Sequence, residues 1–476
     1  MDFLPFSTIF DPSEDPPGSI DPLGTLSEAE RLADILLPGF TVRMWRPRLL
    51  TFTAVAAEIA NRVVRLTGRE DVRQEARLVC ERLFVAAIAR KNVDRPEEYE
   101  KASLRLPGRT LAERAWREDE PLRSGNFLKG QAVNGPYGVM ARLARSLGII
   151  DSEGKLGSIG HELLLEWSSG QGLTNFLEEV DQIEGEGVTW AKQVRNTVSQ
   201  GLGKQGDWPR PNQKIWDILA SSLRADQLKG SERKAIIRAL HTDPVRDRML
   251  QLMREEKSLN VYRANLSEER GVLERRILLD SVKRLLDTKQ PTDRTINSCL
   301  DAIDAYEQGS ALLQQIFDAL LWGLRSRNGH AKQADILRIT VVSQTIRKAM
   351  SKARQVGSSL ERAGKQIKDM PLTDAVVRGS SLERLRDDVV LCHGTLDDAV
   401  SAVMARHEKV QRTKRKATWM VFGQVWTLMP GFGTDASYPP EYDDVFMHPM
   451  RILNGYSFLK ELGLAQVAVK DNGDDN

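Results

Sequence analysis

The chain of 476 residues contains only three cysteines, Cys80, Cys299 and Cys392. They form no CxxC pair and no disulfide framework, which excludes a cystine-stapled secreted scaffold and points to a reducing cytoplasm. Histidine is also sparse. His161, His241, His330, His393, His407 and His448 are scattered, and the neighbours Cys392 and His393 cannot alone build a tetrahedral metal site. Long apolar runs are missing: no stretch approaches the ~20 residues of a membrane-spanning helix. The opening MDFLPFSTIFDPSEDPPGSIDP lacks the basic-then-apolar order of a secretory signal. A soluble cytoplasmic protein with no membrane partner is expected. Charge of one sign is lacking too. The 68 basic and 66 acidic side chains leave a formal net charge of +2, so any polyanion-binding surface must be local.

What is present is helix-forming sequence. Hydrophobic residues make up 41% of the chain, enough to bury a core, and the length allows two to four domains or one elongated helical body. Residues 1–24, rich in Pro, Asp, Ser and Gly, read as an extended arm in which Phe3, Phe6 and Phe10 could dock. Residues 25–130 read as an N-terminal helical domain. It opens at TLSEAERLADILLPG with Thr25 or Ser27 as N-cap and Pro38-Gly39 as stop. Residues 131–182 carry a small module discussed below. Residues 183–416 read as a long-helix region interrupted at GKQGDWPRPNQ, where Trp208 would plug a loop. Residues 417–476 change character: ATWMVFGQVWTLM alternates as a hairpin turning at Gly423-Gln424, a helix and strand follow, and KDNGDDN is a solvated acidic tail. The fold class expected is mainly α, a multi-helix body with small winged-helix-like α+β modules.

The module centres on NGPYGVMARLARSLGIIDSEGKLGSIGHELLLEW. Val139, Met140, Leu143, Leu147 and Ile150 recur at helical spacing and should face a core, while Arg142 and Arg145 fall on the other side. Gly148 suits the left-handed position at a helix end. Glu153-Gly154 marks a hairpin tip with Lys155 beside it, and HELLLEW opens a closing helix. This is the element order of a winged helix, in which the helix before the wing enters the major groove. Arg142, Arg145 and Lys155 would then contact phosphate. A protein–protein module with two solvated arginines explains the same residues.

No catalytic constellation stands out. GxxxxGK[ST], GxSxG and HExxH are absent, and the Gly clusters GSIGH and GLGKQG lack the strand-to-helix setting that phosphate binding requires. The acid pairs Asp387-Asp388 and Asp443-Asp444 fall on surface or loop. Neither a catalytic residue, a metal nor a cofactor is expected.

The best-defined feature is basic. RHEKVQRTKRK supplies Arg406, Lys409, Arg412, Lys414, Arg415 and Lys416 against Glu408 alone, and Trp419 follows, with Trp426 farther along the hairpin. Cations beside exposed aromatics suit a phosphate backbone with base stacking. TIRKAMSKARQVGSSLERAGKQIK adds Arg347, Lys348, Lys352, Arg354, Arg362, Lys365 and Lys368 against Glu361. The plain alternative is a solvated helix face with the tryptophans in the core.

Three patches carry a family resemblance. DPLGTLSEAERLADILLPGFTVRMWRPRLL, with Leu32, Leu36, Pro38, Gly39, Arg43, Arg46 and Arg48, resembles the opening of uncharacterised bacterial proteins encoded in anti-phage defence islands. NGPYGVMARLARSLGII and the ending RHEKVQRTKRKATWMVF…HPMRILNGYSFLKELG resemble the same family, the latter departing from it by a long basic insert. The resemblance implies a non-catalytic component working beside a helicase, nuclease or phospholipase-D-like partner, and it assigns no site residue. The expectation is an accessory or recognition subunit of a defence system that contacts double- or single-stranded DNA. The alternatives are a scaffold for a helicase, ATPase or nuclease without DNA affinity of its own, and an enzyme with a dispersed site.

Overall fold

The computed structural model describes residues 21–178, 184–203, 213–370, 375–429, 432 and 448–466. The arm with Phe3, Phe6 and Phe10, the Trp208 loop, Asp443-Asp444 and the acidic tail lie outside the described residues. The chain is mainly helical, about 70% helix and 2% strand. It divides into two compact units, each assembled from separated segments: Met1–Leu36 with Glu269–Met450, and Leu37–Glu268 with Arg451–Asn476. The segments read from the sequence are divisions along the chain. The units are divisions in space, and 417–476 contributes its hairpin to the first and its last helix, Ile452–Glu461, to the second.

The first unit is built on the Pro291–Arg325 helix, whose Pro at N1 fits where no intrahelical N–H is needed. The Thr340–Lys368 helix packs along it in the opposite direction. Gly323 lies beside Val342, and Gly309, where a Cβ would stand 3.0 Å from Leu360, lies farther along. The Ala375–Leu391 helix reverses again, with Gly357 against Val390 and Gly364 against the Gly379 carbonyl. Leu26–Leu36 packs on this group. The Leu396–Lys414 helix opens with a capping box in which Thr395 and Asp398 satisfy each other's backbone N–H. A three-stranded antiparallel sheet of order β1-β3-β2 joins β1 (His330–Ala331), β2 (Met420–Val421) and β3 (Trp426–Leu428), pairing Ala331 with Trp426 and Met420 with Leu428. The β2–β3 turn falls at the expected Gly423-Gln424. The pairing with β1 joins residues almost a hundred positions apart, and no period in the sequence announces it.

The second unit surrounds the Leu49–Thr67 helix, which is buried along most of its length because Ala54, Ala56, Ala57 and Ala60 let neighbours approach on several sides. Arg73–Asp94, Pro136–Ser146, Ser158–Gly170 and Glu186–Gln200 pack against it. Phe52 stacks on Phe84 at 4.4 Å, and Trp167, Phe176 and Trp190 form an edge-on cluster. The expected helix–hairpin–helix order appears at Pro136–Ser146 and Ser158–Gly170. Between them the hairpin is reduced to one antiparallel bridge, Ile150 with Leu156.

Candidate nucleic-acid interface

The Thr340–Lys368 helix owes its two faces to spacing. Val342, Ile346, Ala349, Ala353, Val356, Leu360, Ala363 and Ile367 recur every three or four residues and are buried. The cations occupy the complementary positions, and they fall into two groups. Lys365 pairs with Glu361 at 2.8 Å and Lys368 with Glu383 at 2.6 Å, while Lys348 and Lys352 each interact with other groups of the chain. Arg347, Arg354 and Arg362 are exposed, and among the described residues their guanidinium groups have no hydrogen-bond or ion-pair partner. They stand seven and eight residues apart. At 3.6 residues per turn this keeps them on one side of the helix, about 10–12 Å from one to the next.

The basic run of the Leu396–Lys414 helix is not one surface. Arg406 is half-buried: its Nε donates to the Leu23 carbonyl at 2.7 Å and its Nη1 pairs with Asp388 at 2.5 Å. Lys414 Nζ donates to the Asp21 carbonyl at 2.8 Å and to its carboxylate at 3.2 Å. Between them His407 Nδ1 donates to the Pro22 carbonyl at 2.9 Å, and Gln411 Nε2 donates to the same oxygen at 3.1 Å. These side chains clamp the incoming segment 21–23. Lys409, Arg412, Arg415 and Lys416 are the exposed remainder, with Arg415 ending the helix in the left-handed region at φ 54°.

The tryptophans do not form an open stacking platform. Trp426 is buried. Trp419 is half-buried, stacked on Phe432 at 5.0 Å and edge-on to Phe317 at 5.8 Å. They pack as apolar bodies against other rings, Trp426 edge-on to Phe422 at 5.1 Å.

In the second unit Arg142 and Arg145 are exposed on the Pro136–Ser146 helix, opposite the buried Val139, Met140 and Leu143. Lys155 is half-buried and pairs with Glu153 at 2.6 Å. The hairpin tip is held down. Arg77 Nη1 donates to the carbonyls of Glu153 at 3.3 Å and Gly154 at 3.1 Å, and its guanidinium lies over the Tyr137 ring at 5.0 Å. The helix itself starts on a buried carboxylate. Glu81 accepts the Tyr137 N–H and the Gln131 amide, both at 2.7 Å, and burial pushes its pKa up to about 7.

A second buried acid, Glu307, accepts the His448 N–H at 2.9 Å and the Arg275 guanidinium at 2.8 Å, and burial likewise raises it to about 7. Glu274 accepts the Met450 N–H at 2.5 Å and pairs with Arg270 at 3.3 Å. These acids hold a returning chain segment in place. Among the described residues no group of three His, Cys, Asp or Glu side chains is arranged to hold a metal ion, and no helix is long and apolar enough to cross a membrane. The three thiols are buried and pushed up in pKa, which suits packing over nucleophilic use.

Comparison of the chain with protein-family models, with curated proteins and with solved structures gives no match.

Sequence reasoning grouped the cations of each helix together. The structure separates Arg347, Arg354 and Arg362 from the lysines beside them, and Arg412, Arg415, Lys416 and Lys409 from Arg406 and Lys414. The available signal was the acid four residues before Lys365, since Glu361 stands at the spacing that pairs on a helix, while Arg347, Arg354 and Arg362 have no acid so placed before them.

Proposed function

We propose that this protein is a non-catalytic recognition subunit that contacts the phosphate backbone of DNA, working in a bacterial anti-phage defence system. The observation that carries the DNA reading is the row Arg347, Arg354 and Arg362: three exposed arginines on one side of a single long helix, without partners among the described residues. A guanidinium is always charged, forks onto phosphate oxygens and gives up its hydration more readily than an ammonium. A rigid helix presents the three at fixed intervals, which lowers the ordering cost of binding. Lys409, Arg412, Arg415 and Lys416 on the Leu396–Lys414 helix supply further exposed cations in the same unit. In the second unit, Pro136–Ser146 with its short hairpin is read as a reduced winged-helix-like element, Arg142 and Arg145 being its phosphate contacts. The tip of that hairpin is docked by Arg77, and Lys155 beside it is paired with Glu153. The defence setting rests on the resemblance of the three sequence patches.

The test is binding of labelled duplex and single-stranded DNA across a salt series, with a variant carrying Arg347→Glu, Arg354→Glu and Arg362→Glu. Binding that weakens steeply with salt and is lost in the variant supports the reading. Undiminished binding by the variant moves the interface elsewhere. Absence of binding even at low salt leaves the scaffold role, in which a helicase, ATPase or nuclease partner supplies all contact with DNA.

A further inference from the structure

The Pro291–Arg325 helix leads into β1, β1 into a short helix, Gln333–Leu337, and that helix through Arg338 and Ile339 into Thr340–Lys368. Ile339 is extended, with ψ 113°, and so breaks one helix from the next. β2 and β3 follow later as a hairpin, and β3 pairs with β1 to give the sheet order β1-β3-β2. Helix, strand, short helix, turn, long helix, then a hairpin whose second strand pairs with the first strand, is the order of a winged helix-turn-helix. Here the Ala375–Leu391 and Leu396–Lys414 helices are inserted between the long helix and the hairpin.

The turn is packed as such a motif requires. Ile336, Val342 and Ile346 are fully buried. A Cβ on Gly323 of the Pro291–Arg325 helix would stand 2.7 Å from Ile336, 3.2 Å from Val342 and 3.8 Å from Ile339. One residue without a side chain thus seats the short helix, the turn and the start of the long helix on a common support. The other side of those first turns faces solvent. Thr340 and Gln344 are exposed, and Val341 is 37% exposed. The Gln344 amide has no hydrogen-bond partner among the described residues.

Gln344 is aligned with the arginine row. It precedes Arg362 by eighteen residues, or five turns, and so points the same way. Arg354 and Arg362 stand about 15 and 27 Å farther along the axis, while a major groove is about 12 Å wide. One rigid helix can therefore place its first turns in the groove and its later arginines on phosphates beyond it. The helix carries no aromatic side chain, so a single strand finds no stacking platform on it.

We propose that Gln333–Leu337 and the first two turns of Thr340–Lys368 form a helix-turn-helix that reads A·T base pairs of duplex DNA in the major groove, with the β2–β3 hairpin as its wing. This rests on the DNA reading above and adds sequence to it. Gln344 is the reading residue. Its amide N–H donates to adenine N7 while its carbonyl accepts from the N6 amino group, a pattern that adenine presents in that groove. Val341, almost one turn earlier, offers an apolar contact to a thymine methyl. Arg347, Arg354 and Arg362 keep their phosphate role and carry no sequence information.

The experiment uses the full chain and a pool of randomised duplex DNA. Retained duplexes are sequenced, and affinities for an enriched duplex and its scrambled counterpart are read by fluorescence anisotropy across a salt series. Two analogues of the enriched duplex probe the groove. Uracil for thymine removes only the methyl, and 7-deazaadenine for adenine removes only the N7 acceptor. Gln344→Ala and, separately, Val341→Ala alter exposed side chains, and circular dichroism checks that each variant is folded. The expected result is enrichment of A·T-containing sequence, preferred about tenfold over the scrambled duplex. Gln344→Ala should remove most of that preference and leave the salt slope in place. Deazaadenine should weaken the parent and not Gln344→Ala, and uracil should weaken the parent and not Val341→Ala. Binding without enrichment that the combined Arg347→Glu, Arg354→Glu and Arg362→Glu variant loses would keep the phosphate-backbone reading and overturn this proposal. A preference that Gln344→Ala leaves intact, or tighter binding of single strands, overturns it as well. No binding of any duplex at low salt removes the backbone reading and this proposal together.

Discussion

The ring of His407 accepts the backbone N–H of Trp419 at Nε2, 3.0 Å away, while its Nδ1 lies 2.9 Å from the Pro22 carbonyl. A carbonyl can only accept and a peptide N–H can only donate, so the imidazole is neutral with its proton on Nδ1. One ring thereby ties the segment entering the first unit to the segment leaving the Leu396–Lys414 helix. A second proton would fall on Nε2, facing a donor. Burial, with Phe317 at 4.9 Å on one face, pushes the pKa of His407 down, against smaller upward influences of the Pro22 carbonyl and Glu408.

The sign of the linkage follows. The folded pKa lies below the unfolded value of about 6.5, so the unfolded chain takes up a proton first. Stability is unaffected by this group above about pH 6.5 and falls as the pH drops through the lower folded value. Thermal unfolding from pH 8 to pH 5 should show this loss. His407→Gln, which cannot titrate, should be less stable at pH 8 and flatter below pH 6.5. Parallel profiles for the two proteins would remove His407 from the account.

Arg48 and Glu232 form a 3.1 Å ion pair with both side chains withdrawn from water. The guanidinium also donates to the carbonyls of Ser222, Arg224 and Gln227, and Thr51 Oγ1 donates to Glu232 at 2.6 Å. Removing one partner leaves a desolvated charge. Glu232→Gln or Arg48→Met should each cost about 3–5 kcal/mol, and the double variant Arg48→Met with Glu232→Gln should cost less than the sum. Urea unfolding of the set checks this, and full additivity would mean that the two groups act independently.

Much of the helical layout was legible because burial on one side imposes a 3.6-residue period, and Val342 through Ile367 carry it plainly. The interface was only partly legible. Charge is a local property of sequence, but whether a cation is available depends on what lies opposite it in space. Arg406 and Lys414 read as phosphate contacts until the carbonyls of Leu23 and Asp21, almost four hundred residues earlier, are seen to occupy them. Trp419 read as a stacking surface until Phe432 and Phe317 are seen beside it. The exposure of Val390 and Leu391 gave no sequence signal, since apolar residues at a helix end are ordinarily core.

Gly154 tests whether the hairpin is a docked turn. Its φ is +76°, and a Cβ there would fall 1.7 Å from Arg77 Nη1. A left-handed alanine alone costs about 1–2 kcal/mol. Displacing Arg77 from the carbonyls of Glu153 and Gly154 and from the Tyr137 hydroxyl adds about 1 kcal/mol per lost hydrogen bond, so Gly154→Ala should cost about 4–5 kcal/mol. In an Arg77→Ala background the same substitution should cost only the backbone share. Equal costs in both backgrounds would mean that the tip is free of the Arg73–Asp94 helix.

The arginine row makes a quantitative demand on DNA binding. If Arg347, Arg354 and Arg362 each neutralise one phosphate, each contributes about 0.9 to the slope of log affinity against log salt on duplex DNA. Arg347→Gln, Arg354→Gln and Arg362→Gln should therefore each flatten the slope by about that amount, alike for unrelated DNA sequences, because phosphate carries no sequence information. Thermal stability should stay near that of the parent, since none of the three guanidinium groups has a partner to lose among the described residues. Arg406→Gln should behave in the opposite way. It breaks the contacts with Asp388 and the Leu23 carbonyl, so it should lower stability while leaving the salt slope in place. A slope that responds to Arg406→Gln and not to the three exposed arginines would reverse the assignment, making the clamp on residues 21–23 the DNA-contacting surface.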